Sequence, residues 1–183
     1  MEIIPSTLKG LILLEPKIFE DERGYFYESY QAEKFLDFGI NVIFVQDNQS
    51  KSIAGTLRGL HFQIPPYDQA KLVQVVKGSV MDVAVDIRVG SPTYGKYEVV
   101  ELSDQNHRQF FIPSGFAHGF LALENNTIFT YKCSNYYHKS FEGGLLWSDS
   151  KVDIDWNFKN PLVSEKDQVL PELESFNSPF LFA

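Results

Sequence analysis

The sequence predicts an all-β domain, an antiparallel sandwich or barrel with a few short helices, and three observations carry that reading. Aromatic residues make up 15% of the chain, with 16 Phe and 9 Tyr, and rings pack well on pleated surfaces. Short segments with period-two patterning recur. Gly, Pro, Asn and Ser punctuate them at the close spacing expected of antiparallel strands. The 183 residues show no internal repeat, low-complexity run or linker-like shift in composition. They read as one domain over 1–183, long enough to bury a full core.

In chain order, the first assignable element is a helix over residues 32–38, stopped by Gly39 in the C′ position. A strand over 71–76 ends at Lys77-Gly78, and a second runs over 79–88. Met81, Val83, Val85 and Ile87 share one face of it, and Val80, Asp82, Ala84 and Asp86 the other. Asp82 and Asp86 mimic a catalytic carboxylate pair but are read as structural, paired with Arg88. A turn at Gly90-Ser91-Pro92 precedes strands over 97–102, 109–112, 120–123 and 127–133. Cys133 is in phase with Phe129 and Tyr131 and is read as packed. His107 and His138 are read as surface residues. Beyond Lys159 the chain is richer in Pro, Ser and Glu, a loop with one short helix. The tail, about 172–183, ends Phe-Leu-Phe-Ala and is predicted to pack on the barrel or on a neighbouring subunit.

Hydrophobic residues at 44% and charged residues at 22% are ordinary for a soluble globular protein. The net charge of −8 argues against nucleic acid or a membrane surface as partner, since both favour a basic face. It leaves room for an anionic small ligand if a few cations converge on one pocket. A single cysteine makes no internal disulfide, and Met1 to Gly10 has neither a basic start nor a sustained apolar run. A cytoplasmic location is the expectation.

Gly90-Ser-Pro-Thr-Tyr-Gly95-Lys96-Tyr97 nearly matches a phosphate-cradling loop. It lacks the hydroxyl residue after the lysine and no helix pattern follows, so it reads as a turn between strands. Pro113-Ser-Gly115-Phe-Ala-His118 fits the P-x-G-x-x-H element of cupin barrels, and six residues separate Lys71 from Gly78. The chain therefore resembles a cupin-type jelly roll. Where metal-binding cupins carry H-x-H and Glu, this chain has His61-Phe62-Gln63 and Lys71. An amide and an ammonium are poor metal ligands, so no metal is expected. Two histidines, a lysine and an amide suit proton transfer on an anionic substrate.

A wider set surrounds them: Arg23-Gly-Tyr-Phe-Tyr-Glu28, Gln46-Asp-Asn48, Arg58-Gly-Leu-His61-Phe-Gln63, Tyr131-Lys132 and Ser164-Glu-Lys166-Asp167. In order and spacing these resemble the dTDP-4-dehydrorhamnose 3,5-epimerase family from about residue 11 to 171. The resemblance implies His61 as general base with Asp167 as its partner, Tyr131 as general acid on the opposite side of the sugar, and Lys71 near the keto oxygen. It implies Arg23, Phe26, Glu28, Gln46, Asp47, Asn48, Arg58, Gln63, Lys71, His118, Glu142 and Lys166 as the groups that hold the nucleotide sugar. A homodimer sharing residues across its interface is also implied. Two departures, Asp149-Ser150 and Trp156-Asn157 where relatives often have Pro second, touch none of these positions.

Chemistry agrees with that assignment. Carbons 3 and 5 of a 4-keto sugar flank the carbonyl, so removing either proton gives a delocalised enolate. Lysine supplies a fixed positive charge where the oxyanion develops. Imidazole, with a reference pKa of about 6.5, suits a general base. Phenol, at about 10, stays protonated and can deliver a proton from the other face. No step moves electrons to an acceptor, so no redox cofactor is called for. Arginine forks such as Arg23 and Arg58 match phosphate oxygens. Two alternatives stay open: an epimerase working at one carbon or on another 4-keto nucleotide sugar, and a metal-free cupin that only binds one. Gln63 and Lys71 disfavour a third, a metal-dependent cupin oxygenase.

Overall fold

Alternation of apolar and polar side chains puts one row of each strand inward, and strands so patterned must stack face to face to bury it. The computed structural model describes residues 1–182 and meets this requirement; Ala183, last residue of the tail expected to pack, lies outside the described residues. The chain runs β1 (Glu2–Ile4), β2 (Ile12–Glu15), β3 (Phe19–Asp21), β4 (Gly24–Phe26), α1 (Ala32–Asp37), β5 (Gln46–Ser52), β6 (Thr56–Gln63), β7 (Lys71–Lys77), β8 (Ser79–Asp86), β9 (Tyr97–Ser103), β10 (Gln109–Ile112), β11 (Phe116–Ala122), β12 (Thr127–Cys133), β13 (Glu142–Gly144) and β14 (Leu162–Val163). Short 3-10 turns cover Lys139–Phe141, Asp167–Val169 and Leu173–Ser175.

One sheet has the order β1-β2-β10-β7-β12-β5, the other β13-β6-β11-β8-β9, with β14 added to β6. Nearly every pairing is antiparallel; β14 on β6 is parallel. The two sheets stay separate in hydrogen bonding, so the cupin-type jelly roll takes its sandwich form. Between them lies a core that includes Val73, Val75, Val80, Ala84, Leu102, Phe110, Ile112, Phe120 and Phe129. The outer face of the second sheet is covered by the chain after Gly144. There Leu145, Val152, Trp156 and Phe180 pack on Leu57, Leu60, Val83 and Val85. This explains why β8 is buried on both faces. The helix and residues 38–44 cover part of the first sheet, with Phe35 and Ile40 buried against Leu14, Leu72 and Phe111.

The tail is held by backbone bonds from Val89 N–H to Phe180 O (2.8 Å) and from Phe182 N–H to Val89 O (3.0 Å). Phe62 meets Phe176 and Phe180 edgewise or tilted at 5.3 and 5.9 Å. Beyond Lys159 the chain forms one short strand and two 3-10 turns where a loop with one helix was expected. His107, expected on the surface, is 9% exposed and lies under the rings of Tyr25 and Tyr27, at 4.6 and 5.2 Å. Tyr25 lies within β4 and Tyr27 just after it, and their rings shield the imidazole from solvent. His138, also expected on the surface, is half-buried and stacks on Tyr67 at 4.5 Å.

Asp86 does pair with Arg88, through Nε (2.8 Å) and Nη2 (2.7 Å), and also accepts from the hydroxyls of Ser91 and Thr93. Asp82 does not share that arginine and bonds His118. Burial pushes the Asp86 carboxyl up, but the arginine and the two hydroxyls outweigh it and hold its pKa at about 2. A carboxylate depressed from its ordinary value stabilises the fold fully above about pH 4 and loses that contribution as pH falls toward 2. Asp86→Asn should therefore cost about 2–3 kcal/mol at pH 7 and flatten the acid limb of stability, read by urea unfolding. Parallel acid limbs for the two proteins would contradict this.

Candidate active site

The inner faces of the two sheets part at one end into a cleft of about 530 Å³ lined by Arg58, His61, Lys71, His118, Tyr131, Lys166 and Asp167. It opens into a mouth of about 230 Å³ formed with Gln46, Asn48, Gln63, Tyr137 and Glu142, and His61, Lys71 and Tyr131 line both. Arg58, His61 and Gln63 come from β6, His118 from β11 and Glu142 from β13, all in the second sheet. Gln46 and Asn48 come from β5, Lys71 from β7 and Tyr131 from β12, all in the first. Local backbone makes the placement possible. Gly59 has φ +141°, and a Cβ there would lie 2.5 Å from Gly119 Cα, so only glycine lets β6 press against β11. His61 and His118 then stand directly opposite in register.

His61 Nε2 is 2.6 Å from Asp167 Oδ1. Asp167 is 3% exposed and also accepts from the Gly59 N–H at 3.4 Å. Burial pushes its carboxyl up, but the His61 bond and then the Gly59 amide leave it below its ordinary value, hence ionised at neutral pH. An ionised carboxylate only accepts, so the proton of neutral His61 sits on Nε2 and Nδ1 is the free base. His118 Nε2 stands 3.1 and 3.0 Å from the two oxygens of Asp82, which is fully buried. Burial pulls the His118 imidazole down and Asp82 opposes it only in part.

Lys71 crosses the sandwich: rooted in the first sheet, its Nζ donates to the His61 carbonyl in the second at 3.3 Å. Burial pulls its ammonium down, and the charges of Asp82 and Glu142 oppose that shift. Tyr131 stands on the first sheet, opposite Asn48 and Val73, and burial pushes its phenol up. It therefore holds its proton throughout the neutral range. Cys133, buried and free, accepts from Asn48 Nδ2 at 3.6 Å.

Arg58 is exposed and bonds through Nε to Ser52 Oγ at 3.3 Å, leaving its terminal nitrogens to the cleft. Lys166 pairs with Glu142, which also accepts from the Tyr137 hydroxyl at 3.2 Å. Burial pushes the Glu142 carboxyl up, and Lys166 and Tyr137 bring it below its ordinary value. Gln46 bonds Asn48 at 3.1 Å and accepts from Tyr137 N–H at 2.9 Å. Gln63, 4% exposed, spends its amide on backbone groups of Tyr67, Tyr136 and His138.

Four expected site residues stand apart from the cleft. Arg23 lies at the tip of the β3–β4 hairpin, paired with Asp21 and 84% exposed at its side chain. Phe26 is 70% exposed on the same hairpin. Glu28 is exposed and pairs with Lys34 at 2.6 Å, and Asp47 points away from the cleft to Lys132 at 3.1 Å. Two members escaped the sequence reading. Asp82 was read as structural and paired with Arg88, whereas the structure sets it against His118. Tyr137 sits beside His138 in a segment with no strand pattern, where no periodicity could have shown it. Among the described residues no three His, Cys, Asp or Glu side chains are gathered as a metal would need.

The chain matches the family profile described as dTDP-4-dehydrorhamnose 3,5-epimerase over residues 5–175. A protein of that name from Shigella flexneri is 52% identical over 168 residues, covering 91% of this chain and 93% of its own length. The crystal structure of a dTDP-4-dehydrorhamnose 3,5-epimerase from Elizabethkingia anophelis NUHP1 superposes with a TM-score of 0.93 at 48% identity, over 97% of this chain and 99% of that one. That of dTDP-6-deoxy-D-glucose-3,5-epimerase from Legionella pneumophila Philadelphia 1, in complex with dTDP-4-keto-L-rhamnose, gives 0.95 at 46% identity, over 100% and 99%. Among the described residues no helix is long and apolar enough to cross a membrane.

Proposed function

This chain belongs to the dTDP-4-dehydrorhamnose 3,5-epimerase family, and from that premise we propose that it converts dTDP-4-dehydro-6-deoxy-D-glucose to dTDP-4-dehydro-L-rhamnose by inverting carbons 3 and 5. One observation supports the mechanism: His61 and Tyr131 line the same cleft from different sheets. His61, with its Nδ1 free, stands on the second sheet, and Tyr131, still protonated, on the first. Inversion requires that a proton leave one face of the ring and another arrive at the opposite face. A sugar lying between the sheets meets that requirement without turning over.

His61 takes the proton from the carbon beside the carbonyl, and Asp167 stabilises the imidazolium that results. The negative charge passes to the 4-oxygen, where the Lys71 ammonium neutralises it. Tyr131 then protonates the carbon from the other side. Solvent or buffer restores both groups, and the cycle repeats at the second carbon, because each carbon flanks the same carbonyl. His118, held by Asp82, is a second polar neighbour for the sugar. Arg58 and Lys166 bring guanidinium and ammonium groups to the cleft, suited to a diphosphate. On binding, Lys166 can exchange its bond with Glu142 for a phosphate oxygen.

Arg23 and Phe26 fit this reading through a second copy of the chain. They sit on an exposed hairpin outside the cleft they were expected to serve. In a homodimer the hairpin of one protomer reaches the cleft of the other. A cytoplasmic setting belongs to the same proposal, supported by a lone unpaired thiol at Cys133.

Incubation with dTDP-4-dehydro-6-deoxyglucose in deuterated water, followed by NMR, should show deuterium at both carbons and an L-configured product. Label and inversion at one carbon would make the chain a single-site relative, and binding without exchange would make it a non-catalytic binder. The shared cleft has its own test. Arg23→Ala and His61→Ala proteins, each impaired alone, should recover about a quarter of wild-type activity when unfolded and refolded together, because one site in each mixed dimer is intact. No recovery would place the hairpin's function within its own protomer.

A further inference from the structure

Gln63 was expected to touch the substrate, but both of its donor hydrogens are already engaged. Nε2 donates to Tyr67 O at 3.1 Å and to Tyr136 O at 3.2 Å, and Oε1 accepts from His138 N–H at 2.7 Å. A primary amide has two donor hydrogens and an oxygen with two lone pairs, so these three bonds occupy both hydrogens and one of the two lone pairs. All three partners are backbone groups, and two of them bracket one residue. The carbonyl before Tyr137 and the N–H after it are fixed by the same side chain.

Tyr137 is the residue so bracketed. Its own N–H donates to Gln46 Oε1 at 2.9 Å, its hydroxyl donates to Glu142 Oε2 at 3.2 Å, and it is 51% exposed at the mouth. Tyr67, the third backbone partner of Gln63, stacks on His138 at 4.5 Å and backs the bracket from outside. Gln63 is a strand residue two positions from His61, so the mouth wall is referenced to the strand that carries the proposed base.

We infer that Gln63 is a positioning residue: it sets the 136–138 segment, and hence the Tyr137 and Glu142 wall of the mouth, relative to His61. It acts on substrate capture and makes no contact with the reacting carbons. This rests on the epimerase reading for the identity of the substrate, but the clamp itself can be tested without it.

Gln63→Met keeps the side-chain length and removes all three bonds. Backbone amide hydrogen exchange over 136–138 should accelerate more than about tenfold in this variant, with the melting temperature little changed. Turnover of the 4-keto nucleotide sugar should show KM raised about tenfold and kcat within about twofold of wild type. Combining Gln63→Met with Tyr137→Ala should raise KM no further than Tyr137→Ala alone, because the first acts through the second. Unchanged exchange over 136–138, a loss expressed in kcat, or additive effects on KM would each overturn the inference. If the wild type itself fails to turn over this sugar, the functional reading fails, and the exchange measurement still decides the clamp.

Discussion

One lysine held between two β-sheets constrains everything around it. Lys71 leaves the first sheet and bonds a backbone carbonyl of the second, in a space where an unpaired charge would be expensive. Its neighbours follow from that cost. Asp82 and Glu142 contribute opposing charge, and a carbonyl oxygen takes a hydrogen. The gap between the sheets is split into a closed apolar part, built around Val73, Leu102 and Phe110, and an open cleft whose polar groups stand beside Phe120 and Phe129. A keto oxygen entering the cleft offers the ammonium a partner whose negative charge grows along the reaction coordinate. Such a site is complementary to the transition state more than to the ground state.

The sandwich also sets the geometry of the proposed proton transfer. Antiparallel strands fix neighbouring side chains by register, and register here sets His61 against His118 and Tyr131 against Asn48. Two sheets stacked about 10 Å apart leave room for one pyranose ring between opposed side chains. In the proposed mechanism, His61 and Tyr131 on different sheets thus address different faces of one ring. A buried carboxylate supports each histidine: Asp167 fixes the tautomer of His61, and Asp82 holds His118. Both carboxylates come from outside β6 and β11, so packing of the whole sandwich orients the imidazoles.

Much of this was legible before any coordinates. Strands β7 to β10 and β12 follow from apolar alternation, and the helix end at Gly39 from its C′ role, with φ +85°. Strand β5, Gln46–Ser52, was not legible as a strand, since it carries no apolar residue. Its inward row of Gln46, Asn48 and Ser50 faces a polar cleft, so function erased the hydrophobic signal that alternation depends on. A different cause hid the start of β11, where Phe116 to Phe120 is buried on both faces and shows no alternation. Motif spacing named the polar residues that the cleft gathers, because the distance along each strand is set by the pleat. It could not separate residues facing this cleft from those on an exposed hairpin, and Arg23, Phe26 and Glu28 stand outside it for that reason. Nor could it distinguish a side chain that meets a ligand from one that braces a loop, which is the case of Gln63.

The central claim, that protons leave and arrive from opposite sheets, is tested most directly by separating exchange from inversion. Tyr131→Phe and His61→Ala would be incubated with the 4-keto sugar nucleotide in deuterated water, with label and configuration at carbons 3 and 5 followed by NMR. The account predicts that Tyr131→Phe still washes deuterium into the starting configuration through His61 but inverts at least about a hundredfold more slowly, whereas His61→Ala loses both processes. Inversion by Tyr131→Phe at close to the wild-type rate, or exchange surviving in His61→Ala, would contradict it.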